Sequence, residues 1–193
     1  MELISNLALA GGLSWASGLR LYITVFAVGM MNKFGYIQLP ATLDILSNPI
    51  VIAVAGLLAV IEFLADKIPY VDTMWDSIQT FIRIPAGALL AMGAINTSDP
   101  VIATIAALLG ASLAGATHAT KAGSRALINT SPEPVSNIAA SFGEESALIT
   151  GGWLMFAHPA VFIGILCGFI VLLFWLLPKV WRGVKKVLVK LKI

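Results

Sequence analysis

The chain has 193 residues, 59% of them apolar and 11% charged, with a net charge of +2 and a mean hydropathy of +0.93. A soluble domain carries about a quarter charged residues, so a water-soluble globule and an intrinsically disordered chain are both excluded. At roughly 20 apolar residues per crossing, the composition predicts an all-α, polytopic transmembrane bundle of about six to seven membrane segments.

Apolar runs, cut at charges, prolines and turn residues, fall at 3–17, 20–34, 49–65, 81–95, 100–117, 135–157 and 160–178. Runs of about 15 to 17 residues rise only about 23 to 26 Å as helix, short of a hydrocarbon core of about 30 Å. Broken or re-entrant helices are therefore expected, and these need protein or water to satisfy the freed backbone. Residues 1–178 are read as one transmembrane domain and 179–193 as a basic amphipathic helix.

In the first runs, Arg20 interrupts an uncharged stretch from Leu3 to Met31. An ionised side chain near the bilayer centre costs about 2.5 to 3.5 kcal/mol, so it needs a partner or a wet pocket. Arg20 reads either as a guanidinium for an anionic substrate, with Gly18 letting the backbone approach, or as an interfacial arginine snorkelling to headgroups. The stretch LALAGGLSWASGLR (7–20) aligns without gaps on SLAGATHATKAGSR (112–125), pairing Gly18 with Gly123 and Arg20 with Arg125. Both halves continue into a proline-started run, after Asn48-Pro49 and His158-Pro159. A parallel internal repeat is expected, with units 3–65 and 100–178 joined by a linking helix at 73–95.

Glu62 and Asp66 stand four residues apart on one helical face, with Lys67 directly after. Within a membrane such carboxylates pair with arginine, relay protons or bind a cation. Beyond Pro69, Asp72, Asp76, Gln79 and Arg83 repeat a similar spacing. Asp72 and Asp76 are read as the solvated face of a loop helix, where charge is ordinary. Gly110, Ala111, Ala114 and Gly115, and Gly164-x-x-x-Gly168, read as close helix packing.

In INTSPEPVSN (128–137), Pro134 suits the first turn of a helix that Glu133, Ser136 and Asn137 can cap. Beside Arg125, a helix start of that kind would hold an anion. Glu144 and Glu145 are adjacent and point to different faces, so at least one should meet a pocket or a partner. His118 and His158 form no His-Glu-x-x-His pair, Ser14 lacks the second glycine of a nucleophile elbow, and no phosphate loop occurs. Neither an enzyme nor a metal or other cofactor is expected. Cys167, the single cysteine, excludes an intramolecular disulfide.

Lys179, Arg182, Lys185, Lys186, Lys190 and Lys192 supply six of the twelve basic residues. Val180, Val184, Val187, Leu188 and Leu191 share the opposite face, so the tail should lie on anionic lipid, each basic residue adding about 1 kcal/mol. Nucleic acid is not an expected partner, because no folded module offers a basic surface. With a cytoplasmic C-terminus, counting back puts every basic residue except Lys33 inside. The N-terminus then lies outside unless the first segment is re-entrant, and Glu2 as the first charge argues against a cleaved leader.

Gly18-Leu19-Arg20, the run from Ala65 to Asp72 with Trp75-Asp76 and Phe81-Ile82-Arg83, and Asn129-Thr130-Ser131-Pro132-Glu133-Pro134 with Ser136-Asn137 resemble the bacterial membrane proteins grouped as domain of unknown function 4126. The resemblance covers most of the chain and implies a small polytopic protein of the inner membrane. It carries no mechanism. The residues themselves favour a transporter for an organic anion or phosphate-bearing headgroup, bound between repeats by Arg20, Arg125, Gly18, Gly123, Glu62, Asp66, Lys67, Glu133, Asn137, Glu144 and Glu145. A scaffold, alone or as an oligomer, in which these motifs only knit helices together, is the alternative. A weaker third reading is a lipid-directed enzyme using His118 with Glu144 or Glu145.

Overall fold

The computed structural model describes residues 2–68, 70–130 and 134–190. Glu133 and Pro69 fall outside them, as do Ser131, Pro132, Leu191 and Lys192, and so do the side chains of Pro134 and residues 187–190. The described residues hold helices and turns and no strand: α1 (Glu2–Lys33), a 3-10 segment η1 (Ala41–Ser47), α2 (Pro49–Ala65), α3 (Val71–Ile95), α4 (Pro100–Ile128), α5 (Pro134–Ala157) and α6 (Pro159–Lys190). Four of these helices begin on proline, whose missing N–H is no loss in a first turn. The Asn48 and Asp99 side chains accept from the amides of Ile50 and Val101, each at 2.8 Å, and so cap α2 and α4.

Helix α1 leaves helical geometry at Arg20, with φ −150 and ψ 91. Its two arms, 2–19 and 21–33, climb away from that residue side by side. On the first arm, Ser14 Oγ lies 3.1 Å from the Gly87 carbonyl oxygen, and the Gly18 carbonyl accepts from Arg83 at 3.4 Å, so α1 descends α3 towards Arg20. Beyond Arg20 the chain passes Gly56 at Phe26 and reaches Leu46 and Ile52 at Gly29. Leu46 belongs to η1, which hydrogen-bonds through Thr42 to Gly93, near the far end of α3. The second arm has thus returned to the level from which the first began. Both arms border one cavity with Leu148–Phe156 of α5, which Gly12 reaches from the first arm and Met31 from the second. The runs 3–17 and 20–34 are these two arms.

Four helices, α1, α3, α4 and α6, are long and apolar enough to cross a membrane, and η1 with α2 makes a fifth candidate bent by 64°. The chain is an all-helical, multi-pass membrane protein. Helices α3 and α4 run to 25 and 29 residues, longer than the runs cut at charges, because the charges within them are turned inward. Helix α6 continues through Pro178 to Lys190. There Val180 packs on Gly123 and Leu127 packs on Gly183, so the start of the basic tail lies along the end of α4.

Close contact among α1, α3 and α4 depends on small side chains. A Cβ on Gly110 would strike Ala91, the Gly87 carbonyl and Ser14, and one on Gly18 would meet Ala114 and Thr117. Gly164 and Gly168 behave otherwise: nothing lies within 4 Å of a Cβ there. Their expected packing role is corrected, since that face of α6 meets no neighbour within the chain.

Candidate functional site

The vertex of α1, the end of α2, the first half of α3, the end of α4 and the first half of α5 bring their charges to one place. Arg20, Glu62, Asp66, Asp72, Asp76, Arg83, Lys121 and Arg125 are all buried. The loop-helix reading of Asp72 and Asp76 is therefore corrected: both sit inside, at 0% and 1% exposure. The spacing 72, 76, 79, 83 is a stripe facing protein rather than water, and His118, Lys121, Arg125 and Asn129 form the matching stripe on α4.

Asp66 is the hub. Its Oδ2 lies 2.7 Å from Arg20 Nη2 and 3.3 Å from Lys121 Nζ, while its backbone carbonyl accepts from Arg125 Nη1 at 3.3 Å. Burial by itself would raise this carboxyl, but Lys121, Arg20, Arg125 and Arg83 together outweigh burial and hold it below the ordinary range.

On one side of the hub stands Glu144. Its carboxylate is 3.0 Å from Arg125 Nη2, 3.4 Å from Lys121 Nζ and 3.6 Å from Arg20 Nε. Glu145 lies 3.4 Å from both Arg20 and Lys67. The two adjacent acids thus serve one cluster, where different faces had been expected. Ser141 accepts from Arg20 at 2.7 Å, and Asn137 holds Arg125 through its backbone carbonyl at 2.9 Å.

On the other side stands Arg83. It donates to Glu62, to Asp76 at 3.2 Å and to His118 Nδ1 at 2.9 Å. A guanidinium can only donate, so Nδ1 accepts and the histidine is the neutral Nε2–H tautomer, directed at the Asp76 carbonyl 3.0 Å away. Asp72 accepts from Asn129 at 3.3 Å. Several oxygens in this half have no hydrogen-bond partner among the described residues: Glu62 Oε2, Asp72 Oδ1, Asp76 Oδ2 and Gln79 Oε1.

Of the residues expected at the site, Arg20, Asp66, Lys67, Arg125, Asn137, Glu144 and Glu145 meet directly, and Glu62 joins them through Arg83. Gly18 borders the cluster, but its missing side chain admits α4 rather than a ligand. Gly123 faces Val180 of α6 and takes no part. Glu133 lies outside the described residues. Arg83, Lys121, Asp76, Gln79 and Ser141 were not anticipated as site residues, and His118 was expected only in the lipid-directed enzyme reading. His118 is taken up by Arg83, Thr80 and the Asp76 backbone. A cavity of about 880 Å³ lies beside η1 and is lined by Leu21, Val25, Leu46, Val54, Leu89 and other mainly apolar side chains.

The buried charges come from Gly18-Leu19-Arg20, from the stretch 62–83 and from the stretch around Asn129, and the profile of one family spans all three, matching residues 7–179. The chain belongs to that family, described as a domain of unknown function (DUF4126). No match is found among curated proteins or among solved structures. For this DUF4126 chain the residues that made the resemblance specific are largely those that form the ion cluster, including Arg20, Asp66, Asp72, Asp76, Arg83, Asn129 and Asn137.

Proposed function

We propose that the protein is a small transporter of the bacterial inner membrane, moving an organic anion or a phosphate-bearing headgroup. One observation carries this reading: the Glu144 carboxylate rests on Arg20, Lys121 and Arg125 together, which is the charge pattern that a free anion would seek. Glu144 is the tethered occupant of an anion site. It is also less buried than its cationic partners, with a side-chain exposure of 15%, and α5 packs sparsely on α4. Withdrawal of α5 would free the three cations for a substrate.

The order of the helix directions supports the same reading. The first arm of α1 descends, the second returns and α2 descends; α4, α5 and α6 follow the same order, with α3 between the units. Arg20 ends the first descent and Arg125 lies near the end of the corresponding one. On this reading seven segments form a parallel repeat of three plus one plus three, and substrate binds where the units meet. The C-terminus is cytoplasmic, on the side of the cluster, and the basic tail touches anionic lipid.

Proteoliposome uptake of labelled succinate, inorganic phosphate and glycerol phosphate tests the proposal. Arg20→Gln and Arg125→Gln should abolish uptake of the transported probe, and Glu144→Gln should tighten its binding. A second reading, the scaffold, rests on the ion pairing that already satisfies these cations. Unchanged flux for every probe in both arginine variants, with a lowered melting temperature, would favour it over transport.

A further inference from the structure

The two halves of the cluster are unequal in charge. Around Glu144 and the hub, Asp66, Glu144 and Glu145 face Arg20, Lys67, Lys121 and Arg125. Around Arg83, the carboxylates of Glu62 and Asp76 face one guanidinium, with Lys121 reaching only Asp76, at 3.6 Å, and Asp72 beside them makes no ion pair among the described residues. His118 adds no positive charge there, since its Nδ1 accepts from Arg83. Among the described residues of the cluster, six carboxylates therefore meet five cations. A buried carboxylate without a compensating charge is costly, and such a group ordinarily neutralises by taking a proton.

We infer that Glu62 and Asp76 share one bound proton at neutral pH and that Glu62 carries it. Each carboxylate gives one oxygen to Arg83 and leaves the other, Glu62 Oε2 and Asp76 Oδ2, buried with no partner. A proton on Glu62 Oε2 leaves the bond from Arg83 to Oε1 intact and turns an orphan acceptor into a donor. The two acids differ in their surroundings. Asp76 has Lys121 as a second cation. Glu62 lies in the last turn of α2, where the helix dipole opposes a negative charge. Asp72 lies in the first turn of α3, where the dipole favours one, and it has the Asn129 amide as a donor. The charged groups facing Glu62 are Arg83 from α3, Lys121 from α4, Arg20 from α1 and Asp66 from the end of α2. Like charge from Asp66 therefore offsets part of the cationic field. The proton site does not depend on transport, and its occupancy is read without any flux.

Infrared spectroscopy of the purified protein, in a detergent free of carboxyl and ester groups, tests the inference. At neutral pH the wild type should show a carboxylic C=O band that shifts in D2O and disappears at alkaline pH. Glu62→Gln and Asp76→Asn should each abolish the band, because either leaves one carboxylate for Arg83. Asp72→Asn should retain it. The melting temperature of the wild type should fall from mildly acidic to mildly alkaline pH, and that slope should be lost in Glu62→Gln. Absence of the band in the wild type overturns the inference, as does a band that survives Glu62→Gln. So does a rise in melting temperature with sodium over choline chloride that Glu62→Gln removes, which would mark a metal cation in the proton's place.

Discussion

At one end of the bundle α1, α3 and α4 meet through Ser14, Gly87, Gly110 and Ala114. At the other, the same helices bring Arg20, Arg83 and Lys121 against Glu62, Asp66, Asp76 and Glu144. The first end has little freedom, because close backbone approach leaves no room for a shifted register. The second end could pair its charges in several ways, since Asp66, Asp76 and Glu144 are each within reach of more than one cation. The difference assigns separate tasks: small residues set the depth at which the helices engage, and that depth decides which ions meet.

Removing a central ion should have the largest effect. Arg83→Leu strands Glu62 and Asp76, and a broken buried pair costs about 3–5 kcal/mol, so chemical unfolding should show a loss of that size or failure to accumulate folded protein. Asp66→Asn should cost about 3 kcal/mol at neutral pH, at the low end of that range, because the amide still offers Arg20 and Lys121 an acceptor. The sign with pH follows from the lowered carboxyl. Its stabilisation is full above the ordinary value of 3.8 and is lost as pH falls through the lower folded value. The gap between wild type and Asp66→Asn should therefore close on acidification in a pH series of melts. At the opposite end, Gly110→Ala pushes a methyl into Ala91 and Gly87, with an expected cost of about 1–3 kcal/mol. If that substitution also disturbed anion uptake, depth and ion pairing would be coupled rather than separate. Gly164→Ala should change stability by less than about 0.5 kcal/mol in the same unfolding assay, because its face of α6 is open.

The membrane-spanning, all-helical character was legible from composition, and the break near Arg20 from the shortness of the first two runs. The prolines and Asn48 gave the helix starts by local chemistry alone. The inward direction of α3 was not legible. Asp72, Asp76 and Arg83 have the spacing of any amphipathic helix, and only the facing stripe on α4, with Asn129 and Lys121 in register, turns a solvated face into a buried one. That register depends on Gly87 and Gly110, whose close approach to each other a reading of either helix alone does not reveal. Gly123 misled for the opposite reason. Its match to Gly18 within the aligned segments says nothing of which neighbour a glycine faces, and here that neighbour is Val180.

The folded-back shape of α1 also bears on how the chain is made. Its second arm, 21–33, rises only about 20 Å as helix, so the two arms are set in place as one unit that turns at Arg20. The carboxylate that answers that guanidinium, Asp66, is synthesised only after α2. Until α2 has been made, the turn of that unit carries a guanidinium without this counter-ion.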